Sequence, residues 1–228
     1  MNSHILELQD VSRFYRQGDR ELAILKGANL TLEKGKLTAL TGPSGAGKTS
    51  LLNIAGLLES PSSGHVLING IDMSDASSRR RTEIRRKHIG FVFQFHRLLP
   101  EFNAMENIII PQMLNGLSRG EAADRAGQLL DMVGLKDRME HRPGLLSGGE
   151  QQRVAIIRAI ANAPSILLAD EPTGNLDPQT AASVFSHLKQ IVQLTDTAAL
   201  IVTHNQGLAD QMDRVLQLVD GTVQQVRS

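Results

Sequence analysis

The chain has 228 residues, of which 41% are hydrophobic and 21% are charged, and its 24 basic residues balance its 24 acidic ones. These values predict one sizeable α/β domain, and the zero net charge excludes an overall field that would attract nucleic acid or an anionic membrane. The lack of cysteine excludes a disulfide scaffold and thiol chemistry. The amino-terminal sequence does not read as a signal peptide, and every apolar run is far shorter than the ~20 residues of a membrane-spanning helix. We therefore expect a soluble, cytoplasmic chain.

The first part of the chain predicts a β section, followed by a strand, a glycine loop and a helix. Residues 4–32 alternate apolar and polar side chains around the turn sequence RQGDR, a pattern typical of antiparallel strands. The apolar run LTAL then leads through TGPSGAGKTS into the apolar helix LLNIAGLL. A single strand-like piece, HVLINGIDM, and a strongly basic helix over residues 77–88 come next.

The rest of the chain predicts helices and then a parallel sheet. Residues 103–162 read as successive helices without a strand, so we assign residues 95–162 to an inserted helical subdomain. The segments SILLAD, PQTAASVFSHLKQIVQ and AALIVTH then alternate strand and helix, and a final hairpin is predicted across an Asp-Gly turn. The predicted fold is α/β, with a mainly parallel sheet in the core, residues 1–94 and 163–228, and an antiparallel section at its amino-terminal end.

The sequence GPSGAGKT fits the phosphate-binding pattern G-x-x-x-x-G-K-[ST] between a predicted strand and a predicted helix. Its glycines allow backbone N–H groups to turn toward phosphate oxygens, and the helix that starts near Gly47 adds its positive end. Lys48 is expected to reach the β and γ phosphates, and Thr49 is expected to bind Mg²⁺. An ordinary glycine turn does not require this lysine and hydroxyl, so we predict a nucleoside triphosphate site. The predicted contacts are Gly42, Pro43, Ser44, Gly45, Ala46, Gly47, Lys48, Thr49 and Ser50.

Two carboxylates, Asp170 and Glu171, follow the apolar run SILLA. Strand ends in an open parallel sheet face the ligand crevice, so Asp170 suits the Mg²⁺ shell and Glu171 suits a general base for the attacking water. The alternative, a helix cap before Pro172, accounts for one carboxylate but not for both. Thr203 and His204 end another apolar strand in the same way, which favours a contact between His204 and the γ phosphate, although a lone histidine is more often structural.

The sequence LLSGGEQQR contains Ser147 and, three residues later, Glu150, the spacing of a helix capping box. A capping box does not account for Gly148 and Gly149, because a glycine within a helix costs about 1 kcal/mol relative to alanine. We therefore expect some group to approach this backbone closely, at a helix amino terminus that is suited to an anion.

These motifs occur together, in the order GPSGAGKT, Gln94, LSGGEQQR, LLADEP, GNLD and VTH, across nearly the whole chain. In this combination the chain resembles the nucleotide-binding domain of ABC transporters, which implies an ABC-type P-loop ATPase core with ATP and Mg²⁺ as ligands. The resemblance implies that Glu171, His204 and Gln94 are catalytic and that Tyr15 stacks on adenine. The metal contacts that it implies are Thr49, Gln94 and Asp170.

The resemblance also implies a head-to-tail dimer of two copies, in which the signature of one chain completes the ATP site of the other. The signature residues are Ser147, Gly148, Gly149 and Glu150, and the loop that links the two sites is Asn175, Leu176 and Asp177.

The phenylalanine-rich sequence FVFQFHRLLPEF surrounds Gln94, at the position of the family's Q-loop. In ABC transporters a groove beside this loop receives a helix of the membrane subunit. We expect Phe91 and Phe93, on the strand before Gln94, to lie in the core. The residues expected to meet a membrane subunit are Phe95, His96, Leu98 and Leu99.

The sequences FQFHRLLPEFNAMENIIIPQML and LADEPTGNLD are most similar to ATP-binding subunits of lipoprotein-releasing systems. That resemblance implies separate integral membrane subunits as partners and a peripheral location on the cytoplasmic side of the inner membrane. Related subunits that drive macrolide-type export or control a cell-division hydrolase are alternatives. A DNA-repair or chromosome-structure ATPase is a further alternative, but the sequence shows no sustained heptads for its long coiled coils.

The basic run over residues 79–87 is interpreted as a solvated helix face, and no nucleic-acid partner is expected.

Overall fold

The computed structural model describes residues 4–18 and 20–227, so Asp19, part of the predicted turn RQGDR, lies outside the described residues. The strands are β1 His4–Gln17, β2 Arg20–Glu33, β3 Leu37–Thr41, β4 Ser63–Ile68, β5 Ile71–Asp72, β6 Ile89–Val92, β7 Ile166–Asp170, β8 Ala198–Val202, β9 Arg214–Val219 and β10 Thr222–Arg227. The helices are α1 Lys48–Ala55, α2 Ser78–His88, α3 Ala104–Leu114, α4 Arg119–Met132, α5 Gly148–Ile160, α6 Pro178–Thr195 and α7 Gln206–Ala209, with short 3-10 turns at Lys136–Arg138 and Pro143–Leu145. Within the described ranges, no helix combines the length and the apolar character needed to cross a bilayer.

The larger sheet has six strands in the order β10-β9-β3-β8-β7-β6. All neighbouring strands are parallel except β10 and β9, which form the predicted hairpin across Asp220 and Gly221. Both turn residues have positive φ, 50° and 82°, as a tight two-residue hairpin turn requires. Because β3, β6, β7 and β8 are parallel, their carboxyl ends lie at one edge of the sheet. The phosphate loop, Gln94, Asp170 and His204 all lie at this edge or follow it directly.

Alternate residues of the parallel strands face two separate apolar clusters, one on each side of the sheet. In β8, Ala199 and Ile201 join the cluster beneath α3, α4, α5 and α6, whereas Leu200 and Val202 join the cluster beneath the smaller sheet. The smaller sheet is antiparallel, in the order β2-β1-β4-β5, and covers the second face together with α1. The run AALIV is therefore buried on both faces, as expected of a central parallel strand.

The chain between β6 and β7 contains helices and loops but no strand, which confirms the helical prediction for residues 103–162. Three of these helices, α3, α4 and α5, begin with capping boxes at Asn103, Ser118 and Ser147. Each box satisfies backbone N–H groups that the first helical turn leaves without partners, so the sequence fixes where each helix starts.

One segment differs from the sequence-based prediction, and a second makes contacts that were not predicted. HVLINGIDM forms two strands, β4 and β5, rather than one, because Asn69 and Gly70 both have positive φ and form a hairpin turn between them. The basic helix α2 has the predicted solvated face, because Arg79, Arg80, Arg86 and Lys87 are exposed. In addition, Arg81, Arg85 and Arg86 donate hydrogen bonds to backbone carbonyls of neighbouring segments. These three arginines therefore attach α2 to the core and to the end of α3.

Candidate active site

The phosphate loop lies between β3 and α1, and close neighbours require glycine at two of its positions. Gly42 has φ 144°, and a Cβ atom there would lie 2.5 Å from the Leu218 carbonyl oxygen. Gly47, the residue before α1, has φ 99°, and a Cβ atom there would lie 2.6 Å from Ile24 Cγ2. The loop can therefore pack against β2 and β9 only if these two positions carry no side chain. The loop then leads into the positive end of α1.

Two side chains of α1 are held in position by the loop and by β7. Lys48 Nζ donates hydrogen bonds to the carbonyl oxygens of Gly42 and Pro43, both at 2.9 Å. Thr49 Oγ1 donates to Asp170 Oδ2 at 3.1 Å. A hydroxyl and a carboxylate thus meet at one point, and both are the hard oxygen ligands that suit Mg²⁺.

Burial raises the pKa of Asp170 above its ordinary value, and the neighbouring carboxylate of Glu171 adds to this effect. The hydrogen bond from Thr49 and the positive charges of Lys48 and Arg97 act in the opposite direction. The charge of Asp170 is thus poorly solvated, and a cation beside the carboxylate would remove much of that cost.

Glu171 follows β7 with φ 45°, a left-handed conformation that is uncommon outside glycine and is found at functional sites. Its Oε2 lies 2.5 Å from His204 Nδ1. His204 comes after β8, the neighbour of β7, so two adjacent parallel strands bring these predicted catalytic residues into contact. The Glu171 side chain is 19% exposed and that of His204 is 66% exposed, so the histidine lies on the open side of the pair.

One cavity of about 400 Å³ brings most of the predicted ATP-site residues together. It is lined by Tyr15, Ile24, Ser44, Gly45, Gly47, Lys48, Thr49, Ser50, Gln94, Asp170, Glu171 and Val202. The predicted contacts Gly42, Pro43 and Ala46 are not among the lining residues, and His204 lines a second cavity of about 190 Å³ that shares Glu171. Sequence reasoning missed Ile24 and Val202, because an apolar strand residue carries no chemical signal of its own.

Tyr15 lines the cavity and is fixed by side chains that sequence reasoning also missed. Its hydroxyl donates to Glu59 Oε2 at 2.7 Å, and the Arg13 guanidinium carbon lies 4.6 Å from the centre of its ring. Arg13 also pairs with Glu59 at 3.4 Å, and Asn53 donates to the other Glu59 oxygen at 2.9 Å. The only available signal was the i, i+2 spacing of Arg13 and Tyr15, which places both on one side of β1.

The capping box predicted at the start of α5 is present. Ser147 Oγ accepts from the Glu150 N–H at 3.3 Å, and Glu150 Oε2 accepts from the Ser147 N–H at 2.7 Å. The hydrogen bond from the Ser147 backbone lowers the pKa of Glu150, and Arg138, 3.0 Å away, adds to this effect. The carboxylate is therefore stabilised in its ionised form.

The two signature glycines have different surroundings. A Cβ atom on Gly149 would collide with Thr180 Cγ2. The close approach predicted for this backbone is thus made at Gly149 by α6 of the same chain. A Cβ atom on Gly148 would meet only Leu176 Cδ2, at 3.6 Å, which is an ordinary contact. Packing within the chain therefore explains Gly149 but not Gly148.

The predicted inter-site loop connects the Gln94 region to α6. Asn175 Nδ2 donates to the Gln94 carbonyl at 3.5 Å, and Leu176 packs against the apolar cluster beneath the helices. Asp177 caps α6 by accepting from two N–H groups of its first turn, at 3.1 and 3.0 Å. Hydrogen bonds from the Thr180 side chain and backbone lower the pKa of Asp177, and the Gln179 backbone adds to this effect.

A sequence profile described as ABC transporter matches residues 25–174, more than half of the chain. The chain belongs to the ABC transporter family. Three relatives of this ABC chain each carry the name lipoprotein-releasing system ATP-binding protein LolD. The protein from Paramagnetospirillum magneticum is 54% identical over 226 residues, which cover 99% of this chain and 100% of the relative. Those from Nitrobacter hamburgensis and Nitrobacter winogradskyi are 57% and 58% identical, and cover 96% and 95% of this chain and 94% and 93% of their own.

Two solved structures resemble the ABC chain over 98% of its length and 99% of theirs, each with a TM-score of 0.89. One, 37% identical, is described as the dimeric structure of a post-hydrolysis state of the ATP-binding cassette MJ0796 bound to ADP and Pi. The other, 38% identical, is described as the dimeric structure of MJ0796, a bacterial ABC transporter cassette. Both agree with the α/β ATPase fold predicted from the sequence.

The four residues of the ABC chain that were predicted to meet a membrane subunit differ in exposure. Phe95 is 69% exposed and Leu99 is 41% exposed. Leu98 instead packs against the apolar cluster beneath the helices. His96 is half-buried; burial lowers its pKa, and a hydrogen bond to the backbone of Gly148 acts in the opposite direction. The exposed apolar surface at this segment thus comes from Phe95 and Leu99.

Phe91 and Phe93 are only partly core residues. Phe91 packs against the apolar cluster beneath the smaller sheet, as expected. Phe93 lies beyond the end of β6, and its partly exposed ring stacks on Phe91 at a centroid distance of 4.5 Å. Both rings line a groove of about 310 Å³. The groove is also lined by Arg85, Arg86, Ile89, Gly90, Pro111, Leu114, Arg158, Ala159 and Asn162.

Proposed function

We propose that this chain is the ATP-hydrolysing subunit of an ABC transporter complex that releases lipoproteins from the inner membrane. The observation that carries the proposal is the meeting of Lys48, Thr49, Asp170 and Glu171 at one cavity, each delivered by the carboxyl end of a parallel strand or the helix after it. Similarity over nearly the full length to relatives named as lipoprotein-releasing ATP-binding proteins supports the choice of cargo.

The residues around the cavity fit ATP and Mg²⁺. The loop between Gly42 and Gly47 has no room for side chains at either end, and Lys48 Nζ already lies within hydrogen-bonding distance of the loop backbone. Lys48 would bind the β and γ phosphates. Thr49 and Asp170, with Gln94, would hold Mg²⁺, which neutralises phosphate charge when it is bound. Tyr15 would stack on the adenine ring.

Glu171 is the proposed general base, which takes the proton of the attacking water. One of its carboxylate oxygens is engaged by His204, so the rotamer is restricted and the other oxygen is left to accept the proton. His204 uses Nδ1 for this contact, so Nε2 is the ring nitrogen that can face the γ phosphate. Gln94, which lines the same cavity, would help to orient the water.

A second copy of the chain would complete each site. The signature residues Ser147 to Glu150 do not line the cavity of their own chain. Gly148 opens the start of α5 to a ligand, since no packing contact within the chain accounts for its missing side chain. The MJ0796 cassettes are dimeric, which supports a head-to-tail dimer with the loop Asn175 to Asp177 between the sites.

The remaining partners would be integral membrane subunits of the LolC/LolE type. They would hold the chain at the cytoplasmic side of the inner membrane as a peripheral subunit. In this arrangement residues 95–162 act as a helical subdomain beside an ATPase core of residues 1–94 and 163–228. The subdomain would move relative to the core when ATP closes the dimer.

The exposed side chains of Phe95 and Leu99 are the proposed contact with these subunits, together with the groove beside β6. Aromatic and aliphatic side chains that remain at the surface suit a helix laid into a groove. Leu98 and His96 would support this surface from behind, because both are partly buried.

Affinity capture from detergent-solubilised membranes, followed by mass spectrometry, tests the proposal. The wild-type chain should retain two related membrane subunits with bound lipoprotein, and Leu99→Glu should lose them while keeping its own ATPase activity. Capture of a drug exporter or a cell-division membrane protein instead would contradict lipoprotein release and leave the ATPase activity in place.

A further inference from the structure

The Q-loop segment, residues 94–99, connects β6 to the helical region and is attached at both ends. On one side, residues 89–92 are paired with β7. On the other side, the Leu99 N–H donates to Asn107 Oδ1 at 2.8 Å, and Asn107 Nδ2 donates back to the Leu99 carbonyl at 3.1 Å. The position of Gln94 in the cavity therefore depends on what holds the residues between these two attachments.

Arg158, in the last turn of α5, holds the middle of this segment. Its guanidinium donates one hydrogen bond to the Arg97 carbonyl at 2.7 Å and a second to the His96 carbonyl at 2.8 Å. A planar guanidinium can span two neighbouring acceptors in a fixed geometry, whereas the ammonium group of lysine is a single point charge. The pairing is therefore specific to arginine.

The turn that Arg158 holds has an unusual backbone and further contacts. Arg97 has φ 48°, a left-handed conformation that persists only where the surroundings impose it. The Arg97 guanidinium lies 4.0 Å from the centre of the Phe93 ring. The His96 side chain lies against the backbone of Gly148. α5 thus contacts the turn twice, through Gly148 at its first residue and through Arg158 in its last turn.

We infer that Arg158 is a positioning residue for ATP hydrolysis, which keeps Gln94 and the signature backbone in a fixed relation by holding the turn at His96 and Arg97. The inference rests on the proposed ATPase function. Arg158 does not line the cavity that Gln94 lines, so its effect passes through the Q-loop segment. Its partners are 61 and 62 residues away in the chain, which is why no local motif marks it.

A matched control is needed to distinguish this positioning role of Arg158 from a purely structural one. Arg81 provides this control, because its guanidinium also donates to two backbone carbonyls, those of Ala76 and Ser74, both at 3.0 Å. These acceptors lie just before α2, in a part of the chain separate from the Q-loop segment.

The experiment compares Arg158→Lys with Arg81→Lys in the purified full chain, with steady-state ATP hydrolysis and thermal unfolding as readouts. We expect kcat of Arg158→Lys to fall about tenfold while KM for ATP stays within about twofold, because misplaced groups act on the transition state more than on binding. Arg81→Lys should lose comparable thermal stability and keep its kcat. Hydrogen exchange at residues 95–98 should become faster in Arg158→Lys alone.

The inference is overturned if Arg158→Lys keeps the wild-type kcat, or if both variants lose kcat in proportion to their loss of thermal stability. Failure of the proposed function can be distinguished from failure of the inference. If the wild-type chain does not hydrolyse ATP, the proposed function is contradicted, and the inference that rests on it falls as well.

Discussion

Glu171 illustrates how a local motif and a tertiary contact together make one functional residue. Its position after an apolar strand was sufficient to predict a role in hydrolysis. Its left-handed backbone and its contact with His204 arise only when β7 and β8 pair, so neither could be predicted from a short stretch of sequence. The backbone strain is tolerated because the pairing imposes it, as is common at functional sites.

Replacing Glu171 with glutamine should preserve ATP binding and trap the ATP-bound dimer, because the amide keeps the size of the side chain but cannot take a proton. General base catalysis contributes about 10²–10⁴-fold, so we expect kcat to fall by about that factor. ATP binding is measured by fluorescence titration and dimer formation by light scattering. Glu140→Gln, at an exposed carboxylate, is the control, and wild-type turnover by Glu171→Gln would remove Glu171 as the base.

The signature glycines give a paired prediction. Gly149→Ala should lose about 1–3 kcal/mol of unfolding free energy, since the new methyl group would collide with Thr180. Gly148→Ala should keep its stability or gain up to about 1 kcal/mol, because the methyl group meets only an ordinary contact in a helix. If Gly148 approaches the nucleotide of another copy, this stable variant should still lose ATPase activity. Urea unfolding and ATP hydrolysis separate the two effects, and full activity of Gly148→Ala would contradict the role of its backbone.

At the scale of secondary-structure elements, the features that could be predicted from the sequence are those that a few adjacent residues determine. The capping box at Ser147, the phosphate loop and the Asp-Gly hairpin each occupy a few adjacent residues, so their chemistry can be recognised before the fold is known. The contacts of Tyr15 and Arg158 could not be recognised in this way. Tyr15 is fixed by Glu59, 44 residues away, and Arg158 by carbonyls that any residue would supply. Such contacts are set by how elements pack, which local patterns do not encode.

The first turn of α5 gives a prediction about pH. The pKa of Glu150 is lowered in the folded chain by the Ser147 backbone and by Arg138. A lowered carboxyl pKa contributes stability at neutral pH that is lost as the pH falls below the ordinary value of 4.5. Glu150→Gln should therefore have a lower free energy of unfolding at neutral pH. When the pH falls below 4.5, its free energy of unfolding should decrease less than that of the wild type. Urea unfolding at neutral pH and below pH 4.5 tests this prediction. An equal decrease in the free energy of unfolding in the two proteins would contradict it.

At the scale of the whole molecule, the signature residues Ser147 to Glu150 do not line the ATP cavity of their own chain, which is the observation behind the proposed head-to-tail dimer. The resemblance to dimeric cassettes supports this arrangement. When two copies are joined by a linker, each substitution can be introduced into a chosen subunit. A linked dimer therefore tests the head-to-tail arrangement directly.

Lys48→Ala and Gly148→Ala should complement each other when they are placed in different subunits of such a linked dimer. In a head-to-tail dimer, the split arrangement puts both defects into the same site and leaves the other site intact. Placing both substitutions in one subunit damages both sites. We therefore expect ATP hydrolysis from the split dimer and only background hydrolysis from the dimer with both defects in one subunit. The reverse result would indicate sites completed within a single chain.

The most direct test of the proposed function is ATP-dependent release of a lipoprotein from proteoliposomes that contain this chain and the membrane subunits captured with it. The proposal predicts release into solution with the wild-type chain and MgATP, and none with Glu171→Gln. Hydrolysis of ATP without release of lipoprotein, in vesicles where the membrane subunits are bound, would contradict it.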